Sequence, residues 1–93
     1  MAFELILMPQ PLAALEALLE DSDRQDLSDA VEVVLDQLEV DPGDPRLGTT
    51  NFVTDGFRHI RSTPVRRDRW VVLWQLGTAG NQLDIVFLGD PER

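Results

Sequence analysis

The N-terminal part of the chain alternates between short apolar runs and breaks made by proline or charge. Residues 3–8 (FELILM) are apolar and β-prone apart from Glu4, which predicts a strand that ends at Pro9. An amphipathic helix is predicted next, with Pro11 in its first turn, because leucines then recur every three or four positions. These leucines are Leu12, Leu15, Leu18 and Leu19.

The clearest helical pattern follows a polar break at residues 21–23. Ser22 or Asp23 is the expected N-terminal cap, since Ser22 and Gln25 have the spacing of a capping box. From residue 24 to 39 one face of the predicted helix is apolar and the other is acidic, and the DPGDP stretch at 41–45 ends it. The apolar positions are Leu27, Ala30, Val31, Val34, Leu35 and Leu38. The short connection between the two helices predicts an antiparallel hairpin.

The second half of the chain is β-prone. A polar stretch at 46–56 is interpreted as a loop, and three segments follow at 57–62 (FRHIRS), 69–76 (RWVVLWQL) and 83–88 (LDIVFL). Their connections have a length that suits hairpins. The order β-α-α-β-β-β predicts an α+β fold in which the helix hairpin packs on one face of a small, antiparallel-rich sheet. One domain is expected over residues 1–93, and the other face of the sheet is left for solvent or a partner.

The composition excludes several kinds of chemistry. The 93 residues include no cysteine, no lysine, no tyrosine and one histidine. Disulfides, thiolate zinc sites, lysine Schiff bases and histidine-cluster metal sites are therefore excluded, and we expect neither a metal nor another cofactor. The N-terminus does not resemble a signal peptide, and no stretch approaches the roughly 20 apolar residues of a membrane span. A cytoplasmic protein without a membrane partner is expected.

Charge is distributed unevenly along the chain. The net charge is −9, but residues 1–55 hold thirteen acids and two arginines, whereas residues 56–93 hold four acids and six arginines. Two interpretations remain open, namely a solvated acidic surface paired with a few arginines, or a basic C-terminal face that attracts phosphate or an acidic partner. The overall acidity argues against tight, nonspecific binding of nucleic acid.

The candidate chemical groups cluster between residues 58 and 74. His59 is the only side chain whose ordinary pKa lies near neutrality, so it is the one obvious general acid or base. Beside Arg61 and Arg69 it could serve a nuclease, and the alternative is a partly buried structural histidine on a strand. The arginines of the RRDR turn could bind phosphate or an acidic partner, or they could lie in an exposed turn and pair with nearby acids. The two tryptophans of the strongest β segment, Trp70 and Trp74, are expected to pack in the core rather than stack on bases.

The whole layout resembles the RelE/ParE toxin superfamily. Similar local patterns are FELILMPQPLAALEALL, VVLDQLEVDPGDPRL, WVVLWQL and IVFLG. The resemblance implies the toxin of a type II toxin–antitoxin system, neutralised by a cognate antitoxin. RelE-like members cut mRNA in the ribosomal A site by metal-free attack of the RNA 2′-hydroxyl, with cations that stabilise the transition state. ParE-like members inhibit DNA gyrase instead.

The resemblance also implies a set of site residues. His59, Arg61 and Arg69 are the expected catalytic residues, and they are expected, with Arg66, on the bare face of the sheet. Val71 stands where the family places an arginine. Arg69 lies two residues earlier on the same face of the predicted strand, and we infer, beyond the family pattern, that its longer side chain reaches the same pocket. Asp90 and Pro91 occupy the positions of a C-terminal basic pair, and the family's following tyrosine is absent. Contacts to phosphate, RNA or antitoxin are expected from four other arginines, which are Arg58, Arg66, Arg67 and Arg93.

Three functions follow from these observations. The first is a ribosome-dependent mRNA interferase, an endoribonuclease that binds RNA. The second is a ParE-like gyrase inhibitor, and the third is a catalytically inactive binding module with the RelE fold. An acidic surface adapted to high salt is a further interpretation of the charge. The edge strands leave open a homodimer or the addition of an antitoxin strand.

Overall fold

The computed structural model describes residues 3–52, 60–65, 69–77 and 80–91. The two helices and five strands, in chain order, are β1 (Glu4–Leu7), α1 (Pro9–Glu20), α2 (Gln25–Val40), β2 (Thr50–Phe52), β3 (Ile60–Pro64), β4 (Val71–Leu76) and β5 (Gln82–Gly89). Short 3-10 turns at Ser22–Arg24 and Pro45–Leu47 precede α2 and β2. The predicted α+β fold, with a helix pair on one face of the sheet, is confirmed.

The five strands form one mixed sheet in the order β1-β5-β4-β3-β2. β1 runs parallel to β5, and the other neighbours are antiparallel. β2 differs from expectation, because it lies within the polar stretch 46–56 for which the sequence predicts a loop. With three residues, TNF, this edge strand shows no alternation and depends on its pairing with β3 rather than on its own pattern.

The core lies between the helices and one face of the sheet. On β4, Val72 and Trp74 are buried while their neighbours are half-buried, so the strand alternates as a sheet with one covered face should. The residues fully excluded from solvent include Val31 and Leu38 of α2 together with Leu83 and Ile85 of β5. Trp74 is 1% exposed, which confirms the prediction that it packs in the core.

An irregularity in β5 keeps its apolar side chains on the covered face. Leu73 pairs with Phe87 but Trp74 pairs with Ile85, so Val86 is one extra residue in β5. The bulge places Ile85 and Leu88, three positions apart, both in the core. A regular strand would have turned Leu88 to the other face.

The Gln10 side chain completes the pairing of β5 beyond the end of β1. Its carboxamide donates from Nε2 to the carbonyl of Leu88 and accepts from the Leu88 amide at Oε1, both at 3.0 Å. The side chain therefore bonds like a further strand residue after Met8, whose amide donates to Ile85. This pair of bonds fixes the start of α1 against the sheet.

The helices differ from expectation in two details. Asp21, not Ser22 or Asp23, caps the turn between them, because its Oδ1 accepts from the Asp23 amide at 3.0 Å and the 3-10 turn already begins at Ser22. The leucine stripe of α1 is only partly buried, since Leu12 is 46% and Leu19 60% exposed. Among the described helices, none has the length and apolar character needed to cross a membrane.

Candidate functional site

Arg61 lies in a row of side chains that crosses three strands. It pairs with Asn51 of β2 on one side and with Trp74 of β4 on the other. Directly opposed residues of an antiparallel ladder project to the same face. Since Trp74 belongs to the core, Arg61 projects to the helix side of the sheet. The expectation that it would lie on the bare face is therefore wrong.

The Arg61 guanidinium is held by two contacts. Its Cζ lies 5.2 Å from the centroid of the Trp74 ring, and its Nε donates to Asn51 Oδ1 at 3.3 Å. A cation stacked over an indole gains about 0.5–2 kcal/mol, depending on its exposure. The half-buried guanidinium is thus oriented in the absence of a ligand.

A buried hydrogen-bond chain fixes the tryptophan beneath the arginine. Trp74 Nε1 donates to Thr63 Oγ1 at 2.9 Å, and the Thr63 and Thr49 hydroxyls are 2.7 Å apart. Thr63 is completely buried, so its hydroxyl has no access to water. These hydrogen bonds join β4 and β3 to the segment before β2, so the Trp74 ring beneath Arg61 is held rigidly.

The loop that follows α2 forms a second structural unit around Asp44. Asp44 accepts from the Arg46 amide at 2.9 Å and from Gln37 Nε2 at 2.8 Å, and it forms a salt bridge with Arg46 at 2.8 Å. The carboxylate is 8% exposed, whereas the Arg46 side chain is 81% exposed. Hydrogen bonds from the Arg46 side chain and amide hold the pKa of Asp44 below its usual range. Asp44 in turn raises the pKa of the Arg46 guanidinium.

An open groove of about 470 Å³ separates this loop from the sheet. Residues 42–45 and 48–49 line one side, and Asn51, Arg61 and Trp74 line the other. Among the described lining residues, Arg61 is the only cation and Asp44 the only acid. The Asp44 charge is already paired with Arg46, so Arg61 dominates the local field. A planar cation in such a groove suits an oxyanion such as phosphate or carboxylate.

Only part of the expected site falls within the described residues. Arg69 is exposed and lies just before β4, and it does not line the groove with Arg61. Val71 projects to the sheet face opposite to Arg61, as its pairing with Pro64 shows. Arg58, His59, Arg66, Arg67 and Arg93 lie outside the described residues. Their roles therefore stay predictions from the sequence.

Asn51 and Asp44 are site residues that the sequence interpretation missed. From the sequence, the DPGDP stretch predicts the end of a helix and forms part of one pattern that resembles the family, but neither observation assigns Asp44 a contact. An aspartate before proline is a frequent turn and cap signal, and both aspartates use it here. Asp41 Oδ1 accepts from the Gly43 amide at 3.1 Å, and Asp44 caps the 3-10 turn at Pro45. Asn51 carried no such signal because its role depends on pairing across strands.

No family model matches the chain, and no curated protein sequence matches it either. Among solved structures, it is similar to a chain in the crystal structure of the archaeal RelE–RelB complex from Pyrococcus horikoshii OT3. The TM-score is 0.71 at 15% sequence identity, and the match covers 100% of this chain and 99% of the other. The chain therefore has a RelE-like fold, which confirms the fold expected from the sequence resemblance.

Proposed function

We propose that this chain is the toxin component of a toxin–antitoxin pair and cleaves mRNA on the ribosome. The main support is the likeness to a chain of a RelE–RelB complex, which covers the two chains almost from end to end. Fold alone does not determine function, so the activity must rest on a site. The groove with Arg61 is the site that the described residues offer.

Arg61 is the group that would bind the scissile phosphate. Its Nε donates to Asn51 Oδ1, and Arg61 is one of the residues that line the groove. In the proposed reaction the RNA 2′-hydroxyl gives up its proton to a base and its oxygen attacks the adjacent phosphorus. The bond from phosphorus to the 5′-oxygen breaks, and that leaving oxygen takes up a proton. Negative charge rises on the phosphoryl oxygens, where an oriented guanidinium is most effective. His59 is the proposed proton carrier, on the evidence of the sequence.

Expression under an inducible promoter tests this function. The wild-type chain should arrest growth and produce mRNA 5′ ends within translated codons, as seen by primer extension. Arg61→Ala should abolish both effects. Arg24→Ala is the matched control, because Arg24 also stacks on a tryptophan, 5.4 Å from the Trp70 ring centroid, and is not part of the groove lining. Equal effects of the two substitutions would contradict the role of Arg61.

An inactive binding module is the second candidate. It is favoured by Val71 and by Asp90 with Pro91, which occupy positions where the resemblance places basic residues. The module would bind an antitoxin without cleaving RNA, and expression would leave growth and mRNA unchanged. A gyrase inhibitor would instead induce the DNA-damage response while mRNA stays intact.

A further inference from the structure

Asn51 is the middle residue of β2, the short strand at the edge of the sheet. It is exposed, and asparagine is one of the residue types that are depleted in strands. An asparagine carboxamide can bond nearby backbone groups in competition with the sheet. A three-residue strand that depends on its pairing with β3 gains no stability from such a residue, so folding alone does not explain Asn51.

Arg61 determines which end of the Asn51 carboxamide faces it. Every hydrogen-bonding atom of a guanidinium is a donor, so the atom that meets Arg61 Nε at 3.3 Å has to be the acceptor Oδ1. This hydrogen bond does not use Asn51 Nδ2, which carries two N–H donors, and it does not use either terminal nitrogen of Arg61. The contact therefore sets two groups of N–H donors beside each other.

Both side chains line the groove beside the loop that follows α2. Asn51 and Arg61 are directly paired across β2 and β3, which places their Cβ atoms about 4.5–5.5 Å apart on the same face. The Thr49 hydroxyl and the Asp44 carboxylate also belong to the lining, but both already have hydrogen-bond partners within the protein. Among the described lining side chains, Asn51 and Arg61 are therefore the pair that offers donors to a ligand.

Two adjacent groups of donors select a ligand that is rich in acceptors. Asn51 Nδ2 and the Arg61 guanidinium only donate, and the guanidinium adds a positive charge that favours an anion over a neutral carbonyl. A phosphodiester is such an anion, and its two nonbridging oxygens lie side by side. One oxygen can accept from each side chain, which orients the phosphate as well as binding it.

We propose that Asn51 is a phosphate ligand of the groove. Its Nδ2 donates to one nonbridging oxygen of a phosphodiester, and a terminal nitrogen of Arg61 donates to the other, while Asn51 Oδ1 holds the guanidinium in place. The identity of this phosphodiester as the scissile one rests on the proposed function, whereas the pairing of the two donors does not. In the proposed reaction Asn51 supplies a second donor where negative charge rises.

Asn51→Asp separates the two tasks of this side chain. Its carboxylate still accepts from Arg61 Nε, but it lacks the N–H donors and repels phosphate, whereas Asn51→Ala removes both contacts. The probe is a trinucleotide of 2′-deoxyribose, because it has phosphodiesters but lacks the hydroxyl that would attack them. We expect its dissociation constant, measured by NMR titration, to rise about tenfold in Asn51→Ala and at least as much in Asn51→Asp.

The N–H signals of the two side chains report on the same contacts. In the wild-type chain the trinucleotide should shift the signals of Asn51 Nδ2 and Arg61 Nε, so this measurement does not depend on the folding of any variant. The Arg61 Nε signal should stay near its wild-type position in Asn51→Asp and move in Asn51→Ala. An Asn51→Asp variant that binds the trinucleotide as tightly as wild type would show that Asn51 only positions Arg61, and would overturn the proposal. Unshifted Nδ2 signals, or no binding by the folded wild-type chain at millimolar trinucleotide, would overturn it as well.

Thr50→Asp is the matched control for charge. Thr50 is exposed, and it pairs with Ser62, one residue away from the pair of Asn51 and Arg61, so it projects to the opposite face of the sheet. Its replacement adds the same charge as Asn51→Asp but on the side away from the groove. We expect the dissociation constant to change by less than about twofold. Equal losses in the two aspartate variants would trace the effect to net charge and contradict a role of Asn51 as a ligand.

Cleavage on ribosomes separates this inference from the proposed function. If the wild-type chain binds the trinucleotide with the expected order of variants but leaves mRNA intact, the proposed function fails and the donor pair stands. If the wild-type chain cuts mRNA and Asn51→Asp cuts it equally fast, the proposed function stands and the donor pair is wrong.

Discussion

Replacing Thr63 by valine should cost about 1.5–4.5 kcal/mol of unfolding free energy, although the two side chains have nearly the same shape. Thr63 is completely buried, and its hydroxyl bonds both the Trp74 indole at 2.9 Å and the Thr49 hydroxyl at 2.7 Å. Valine removes both bonds without opening a large cavity. The change therefore isolates the buried polar network beneath Arg61.

The magnitude follows from the two groups that lose a partner. The Trp74 N–H is left unbonded in a side chain that is 1% exposed, which costs about 1–3 kcal/mol. The Thr49 hydroxyl loses its hydrogen bond to Thr63, but Thr49 is half-buried and its hydroxyl can bond water instead. This second loss therefore adds about 0.5–1.5 kcal/mol. The free energy of unfolding of a small domain is about 5–15 kcal/mol, so the Thr63 hydroxyl supplies a large part of that stability.

Urea denaturation followed by tryptophan fluorescence measures the effect. Thr49→Val is the control, because it leaves Thr63 to accept from Trp74 and should cost only about 0.5–1.5 kcal/mol. The double variant should lose little more than Thr63→Val alone, since the two hydroxyls share one bond. If Thr63→Val stays within about 0.5 kcal/mol of wild type, or loses no more than Thr49→Val, the reasoning about the network is refuted.

Three further changes test other parts of the structure. Since hydrogen bonds from Arg46 lower the pKa of Asp44, its stabilising contribution is complete above the ordinary aspartate pKa of about 4 and fades as pH falls through the lowered value. Unfolding free energies from pH 7 to 2 should therefore decline more steeply in wild type than in Asp44→Asn, and parallel curves would contradict this. Gln10→Ala should cost about 1–3 kcal/mol by leaving the Leu88 amide and carbonyl unpaired, and an unchanged urea midpoint would argue against that role. Leu38→Ala should cost about 2–5 kcal/mol because Leu38 is fully buried, whereas Leu19→Ala, at 60% exposure, should cost less than about 0.5 kcal/mol; similar losses would show that the core is misassigned.

The elements with strong periodicity could be predicted from the sequence. The α2 stripe of Leu27, Val31 and Leu38 is buried as its spacing indicates, and the β4 pattern correctly placed Trp74 in the core. These segments carry their own signal because burial repeats with the period of the element. The edge strand β2 carries no such signal, since its three residues gain their stability from β3.

The face that Arg61 occupies could not be predicted, because it depends on the register between strands. The sequence shows that Arg61 and Trp74 lie in neighbouring strands, but only the pairing shows that they are directly opposed. A shift of one residue would have reversed the face. The DPGDP stretch indicates that Asp44 caps a local turn. Its hydrogen bond with Gln37 could not be predicted, because Gln37 lies on α2 and reaches Asp44 only in the folded structure.

Cleavage of mRNA on purified ribosomes tests the central claim most directly. Ribosomes programmed with a defined mRNA would be incubated with the purified chain, and the RNA 5′ ends mapped by primer extension. We predict cuts within the A-site codon for the wild-type chain and for Arg24→Ala, and none for Arg61→Ala. Intact mRNA in the presence of the folded wild-type chain, or cleavage that persists in Arg61→Ala, would contradict the account.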